Sequence, residues 1–211
     1  MTKVEIFNLA LNALKEPSVQ AVDEGTHQAN TLEIWWKPVV DQILRGRHYH
    51  FARGYSTLAE HADDPPAGWA YRYALPTDLL RVKRTYLDIT SLANDQMTVA
   101  ADGIKLPYDL TPSDDDSEMT LLSNYPDLLL EYTKTTADPS PLLWPNDFCE
   151  AVGWGLAVKA CAPLTGRSDL INYCTMNYAA ALSRAATHDY NSVHPDHSIR
   201  DAGSVRARAR G

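Results

Sequence analysis

Leu32-Glu33-Ile34-Trp35-Trp36-Lys37-Pro38-Val39-Val40-Asp41-Gln42-Ile43-Leu44 runs straight into Arg45-Gly46-Arg47-His48-Tyr49-His50-Phe51-Ala52, and this junction sets the architecture. In its first half Leu32, Trp35, Trp36, Val39, Val40, Ile43 and Leu44 recur at helical spacing. Further on, Trp69-Ala70-Tyr71-Arg72-Tyr73-Ala74-Leu75 places Trp69, Tyr71, Tyr73 and Leu75 at alternate positions, as on one face of a strand. A helix therefore feeds a sheet, with aromatic residues on both sides of the join. Two adjacent indoles cannot share one narrow face, so one of Trp35 and Trp36 fills the core and the other a flank or a subunit contact. The grouping of Trp36 with Leu32, Val40 and Ile43 makes it the core member. Pro38 removes one backbone donor within this helix and predicts a kink.

Outward from the junction, helical patterning lies at both ends of the chain and strand patterning between them. Thr2 and Glu5 stand at capping-box spacing before Ile6, Leu9, Ala10, Ala13 and Leu14, and Pro17 stops that helix. The second helix is expected from about Asp23 to Arg47. Strands are expected at 69–74, 79–86 and 128–133. A hairpin is expected at 97–101 and 104–107 around Asp102-Gly103. Pro112-Ser113-Asp114-Asp115-Asp116-Ser117-Glu118 reads as an acidic loop. Helix returns after Trp144-Pro145, with Pro145 suited to a first turn. Gly153, Gly155, Ala157 and Ala160 form a small-residue surface, and Pro163 and Gly166 break the helix. A last helix carries Leu170, Tyr173, Cys174, Asn177, Tyr178, Ala181 and Leu182 and ends near His188. The expected class is α+β, mainly α. A four-helix domain from 1–50 and 144–188 carries a β-rich insert at 51–143 and an extended C-terminal tail at 189–211.

Composition narrows the function. A net charge of −8 and a pI near 5.3 argue against a general nucleic-acid coat or a polybasic membrane binder. No apolar run approaches the roughly 20 residues of a membrane span, and no signal-peptide core opens the chain. Cys149, Cys161 and Cys174 sit in helical patterns without CxxC spacing and read as buried reduced thiols. No Walker loop, dinucleotide fingerprint or GxSxG elbow is present. His188, Asp189, His194, Asp196 and His197 invite a metal reading, but they fall in a tail without rigid support. Arg45, Arg47, His48 and His50 read as cations at the negative pole of a helix end, and Asp147 and Glu150 as acids in a first helical turn. No catalytic residue, metal or cofactor is expected.

The junction, Trp69–Val82, Asn12-Ala13-Leu14 and Trp144-Pro145 with Phe148, Ala151, Leu156 and Ala157 resemble the tail tubular protein A and head-to-tail adaptor family of short-tailed bacteriophages. So do Ala162-Pro163-Leu164-Thr165-Gly166 and the closing helix with Tyr178, Ala181-Leu182, Ala185-Ala186 and Asp189. The resemblance implies a virion structural protein and not an enzyme. Copies would form a dodecameric ring between the portal and a nozzle of the tubular protein B kind, with DNA passing through the lumen unbound. It implies residence in the virion tail, host cytoplasm during assembly, and no membrane partner. Trp35, Trp36, Trp69, Tyr71 and Tyr73 would serve core or subunit packing. Arg200, Arg206, Arg208 and Arg210, with one Asp201, give 200–211 a side-chain charge of +3 and would dock on the portal. The acidic loop reads as a solvated turn that could add repulsion to a DNA channel, and neutralising it is expected to leave assembly intact. The alternatives are a tail-associated cell-wall hydrolase using a carboxylate of 114–118, and an interaction module unrelated to phages.

Overall fold

A computed structural model describes residues 1–87, 106–135 and 143–193. The chain is α+β: the described residues form four α-helices and two three-stranded antiparallel sheets. They divide into two compact units, one from Met1–Thr31 and the described residues from Trp144 onward, the other Leu32–Leu143.

In the first unit, α1 (Lys3–Leu14) opens on the capping box: Thr2 Oγ1 accepts from Glu5 N at 3.2 Å and Thr2 N donates to Glu5 at 2.8 Å. The helix ends at Leu14, three residues before Pro17; Lys15 turns left-handed at φ 62° and the Glu16 amide closes on the Leu11 carbonyl. Ile6, Phe7, Ala10, Leu11 and Leu14 are buried. They lie on the face that packs against α3 (Asn146–Thr165), which packs in turn on α4 (Ser168–Val193). The small residues of α3 allow close approach: a Cβ on Gly153 would lie 2.6 Å from Leu9 Cδ2. Pro145 sits one position outside α3 as its N-cap, and Pro163 does not break the helix. A proline in the last turn removes one backbone bond, and the turn continues until Gly166 takes φ 62°. The last helix also outruns its expected end at His188 and reaches Val193, with Asp189 buried. Glu150 binds Arg184 at 2.6 Å and Asp147 pairs with His188, so the acids expected to serve only the α3 terminus also pin α4.

α2 (His27–Gly46) starts later than the periodicity predicts. Glu24 accepts from the Gln20 and Ala21 amides and from the Thr26 hydroxyl, which holds 20–26 as a loop. Thr26 Oγ1 then accepts from Ala29 N and acts as the N-cap. The helix passes through Pro38, whose missing bond would have met Ile34; both residues are exposed, so water can satisfy that carbonyl.

In the second unit, β1 (Arg53–Thr57), β6 (Leu128–Lys134) and β3 (Leu79–Leu87) form one sheet in the order β1-β6-β3. β2 (Tyr71–Ala74), β5 (Met119–Ser123) and β4 (Asp109–Pro112) form the other, in the order β2-β5-β4. The β4–β5 hairpin is absent from the sequence reading, which saw only the acidic loop that closes it. β2 starts two residues later than expected because Gly68, at φ 99°, turns the Trp69 amide back onto the Pro66 carbonyl. The hairpin expected at 97–101 and 104–107 falls largely outside the described residues. Both sheets feed one apolar cluster of Leu58, Tyr73, Val82, Leu106, Leu121, Leu128, Leu130 and Tyr132. Each leucine or valine among them contributes about 1.5–3 kcal/mol by burial.

Candidate functional site

The sheet β1-β6-β3 has two unlike faces because opposed residues of an antiparallel pair share a face. Leu128, Leu130 and Tyr132 point into the cluster. The other face carries Arg53, Thr133 and Arg81 in one row across the strands and Tyr55, Glu131 and Arg84 in the next. Glu131 is fully buried, with Arg53 Nε at 3.1 Å, Lys83 Nζ at 2.8 Å and Arg84 Nε at 2.5 Å. Lys83 reaches it through a register shift of β3 between Val82 and Arg84. Burial pushes the carboxyl pKa upward, but the hydrogen bonds and charges of Lys83 and Arg84 outweigh burial and bring it below its ordinary value. Nearby, His48 Nδ1 lies 2.6 Å from Thr133 Oγ1. Burial, then the charges of Arg81 and Lys83, push this imidazole below its usual range. A carboxylate saturated by three cations cannot shuttle protons; its chemistry is to hold a basic surface in place.

The second sheet repeats the device with the opposite sign. Arg72, only 5% exposed, lies under the β4–β5 hairpin. Its guanidinium donates to Asp114 Oδ1 at 2.7 Å, Asp63 Oδ2 and the Asp64 carbonyl at 3.3 Å, the Pro112 carbonyl at 2.9 Å and Thr120 Oγ1 at 3.1 Å. Above it, the buried Ser113 Oγ donates to Asp115 at 2.7 Å and accepts from the amides of Ser117 and Glu118. The hydrogen bonds of Ser113 and Ser117 hold the Asp115 carboxyl down at about 2. Glu118 meets His61 Nε2 at 3.0 Å, and Asp116 forms the tip at φ 57°. The acidic stretch is thus a braced hairpin end.

Of the residues singled out from sequence, Trp36 is buried and Trp35 half-buried. Trp69 and Tyr71 are half-buried, whereas Tyr73 lies in the apolar cluster with its hydroxyl donating to the Tyr125 carbonyl at 2.8 Å. Burial raises the Tyr73 phenol to about 12. The rings of Tyr71 and Tyr73 stack at 6.1 Å. Arg200, Arg206, Arg208 and Arg210 lie outside the described residues, as do His194, Asp196 and His197. Cys149, Cys161 and Cys174 are free and buried. Among the described residues no three His, Cys, Asp or Glu side chains group as metal ligands, and no helix is long and apolar enough to cross a membrane. The first unit holds a groove of about 620 Å³ lined by residues such as Leu9, Ala13, Trp154, Leu170 and Tyr173.

No protein-family model matches the chain, and comparison with curated proteins gives no significant match.

Arg72 and Glu131 were not singled out from sequence. Strand alternation puts Arg72 opposite the Tyr71 and Tyr73 face but does not say that a hairpin covers it. The one available signal was a single Arg within a strand flanked by two separate acidic clusters. Substituting Arg72→Lys keeps the charge and loses the fork that serves five acceptors. The expected cost is about 2 kcal/mol, with faster hydrogen exchange at the Ser113, Ser117 and Glu118 amides. Unchanged exchange there would contradict the bracing role.

Proposed function

We propose that this chain is a structural head-to-tail adaptor of a short-tailed bacteriophage. Copies form a ring, dodecameric by resemblance, between the portal and the tail nozzle, and DNA passes through the lumen. In this reading the arginines of 200–211 grip the portal. The supporting observation is that both buried charged clusters, at Arg72 and at Glu131, are committed to holding charged surfaces rigid. Rigid presentation of charge of both signs suits a protein that must fit neighbours.

A cell-wall hydrolase using 114–118 fits less well. A general acid must hold its proton near the working pH, whereas Asp115 titrates at about 2 and Asp114 is bound by Arg72. Electron microscopy of the protein mixed with its cognate portal tests the proposal. The full chain is expected to cap portals as a ring. Deletion of 200–211 should abolish capping while leaving the circular dichroism of the helices unchanged. Salt should weaken the intact joint. A 23.5 kDa monomer that ignores portals and cleaves peptidoglycan overturns the reading.

A further inference from the structure

We infer that the basic face of β1-β6-β3 is a docking surface for the acidic β4–β5 hairpin of a second copy of this chain. The inference rests on the ring proposed above and names its subunit contact. The dock is the row of Arg53 and Arg81 with Lys83 beside it, edged by Tyr55, which is 56% exposed. Glu131 is one carboxylate beneath three cations, Arg53, Lys83 and Arg84, and its ion pairs to their charged groups fix two members of the dock in place. Arginine forks of this kind suit bidentate contact with carboxylates, and tyrosine adds contact area.

The occupant is carried by the same chain. Asp114, Asp115, Asp116 and Glu118 crowd the end of the braced hairpin, so little ordering entropy opposes their docking. Within one copy the base of the hairpin is tied to Arg72 and His61. No ion pair among the described residues joins it to the Glu131 face, and the side chain of Asp116 at its tip makes no described ion pair, its amide alone being bound, to the Ser113 carbonyl. Opposite charge on two different patches of one chain gives a heterologous contact, the kind that closes rings. Nucleic acid is the disfavoured occupant, because a protein of net charge −8 repels a polyanion at long range. This inference requires the acidic hairpin for assembly, against the sequence expectation that it is dispensable, and the charge swap decides between them.

A charge swap tests the contact. Asp116→Lys alters an exposed tip, at a conformation that Lys15 already adopts in this protein. Arg81→Glu alters an exposed residue whose side chain makes one described hydrogen bond, to the Arg45 carbonyl. Sedimentation velocity is run at low and high salt, with capping of portals followed in parallel and melting used to confirm the fold. Each single variant should weaken self-association at least tenfold, or capping if assembly needs the portal. The double variant, which restores opposite charges with the signs exchanged, should recover it. Wild-type assembly should fall as salt rises.

Failure of the double variant to recover, or assembly indifferent to both single variants, overturns the contact. So does an oligonucleotide that binds wild type but not Arg81→Glu while assembly of that variant is unchanged. Variants that cap portals normally remove the contact and keep the adaptor. Self-association that follows the charge swap without any portal capping removes the adaptor and keeps the contact. A wild-type chain that stays monomeric in both settings overturns both.

Discussion

A Glu131→Gln variant will unfold more easily than the parent by about 3 kcal/mol at neutral pH. Removing one partner of a fully buried ion pair typically costs about 3–5 kcal/mol. The three cations here keep 20–31% of their side-chain surface exposed, so water recovers part of the loss. The pH dependence identifies the cause. The Glu131 carboxyl titrates below its ordinary value in the folded chain, so its contribution is complete above the unfolded value near ~4.3. It is lost as pH falls through the folded value. Urea denaturation of parent and variant should therefore show a gap that is constant above about pH 5 and closes on acidification. A gap independent of pH would mean that the Gln acts through packing alone.

This cluster also marks where the sequence stops being legible. The pattern of 128–133 announces a strand, and the alternation of Leu128, Leu130 and Tyr132 tells which face is apolar. Nothing in that pattern shows that Glu131, among the residues facing away, is covered by cations from two other strands. Such a burial depends on strand order and on the β3 register shift, which are long-range facts. The α1 capping box was legible because every partner lies within three residues. Of the two breakers read at the end of α3, Gly166 ends the helix and Pro163 does not, because a last-turn proline costs little; α4 runs past His188 with its polar Asp189 buried. Of the charged surfaces, the acid run was visible in composition, whereas its brace at Arg72 and Ser113 was not.

The second large effect concerns the paired indoles. Trp36→Ala should destabilise the protein by about 3–5 kcal/mol, because the ring is 4% exposed within the stripe of Leu32, Val39, Val40 and Ile43. Trp35→Ala leaves a smaller cavity, since the parent residue is already partly in solvent, and should cost less. If Trp35 touches a neighbouring subunit, its substitution will lower the assembled fraction more than the melting temperature. Thermal melting at dilute concentration separates the two. Equal shifts would remove the assignment of Trp36 as the core member.

The order in which the strands are synthesised has a kinetic consequence. In each sheet the central strand is the last to be made: β5 follows β2 and β4, and β6 follows β1 and β3. Until the ribosome has passed Lys134, β1 and β3 lack the strand that joins them. α1 waits longer still, since α3, the helix it packs against, begins at Asn146. Pairings so distant in sequence fold slowly, because the loop must close before any contact rewards it. A nascent chain therefore carries exposed strand edges for most of its translation, a window in which unpaired edges invite aggregation. Chains stalled before Leu128 should gather in inclusion bodies, and slower translation before β6 should lengthen the nascent chain's dependence on chaperones.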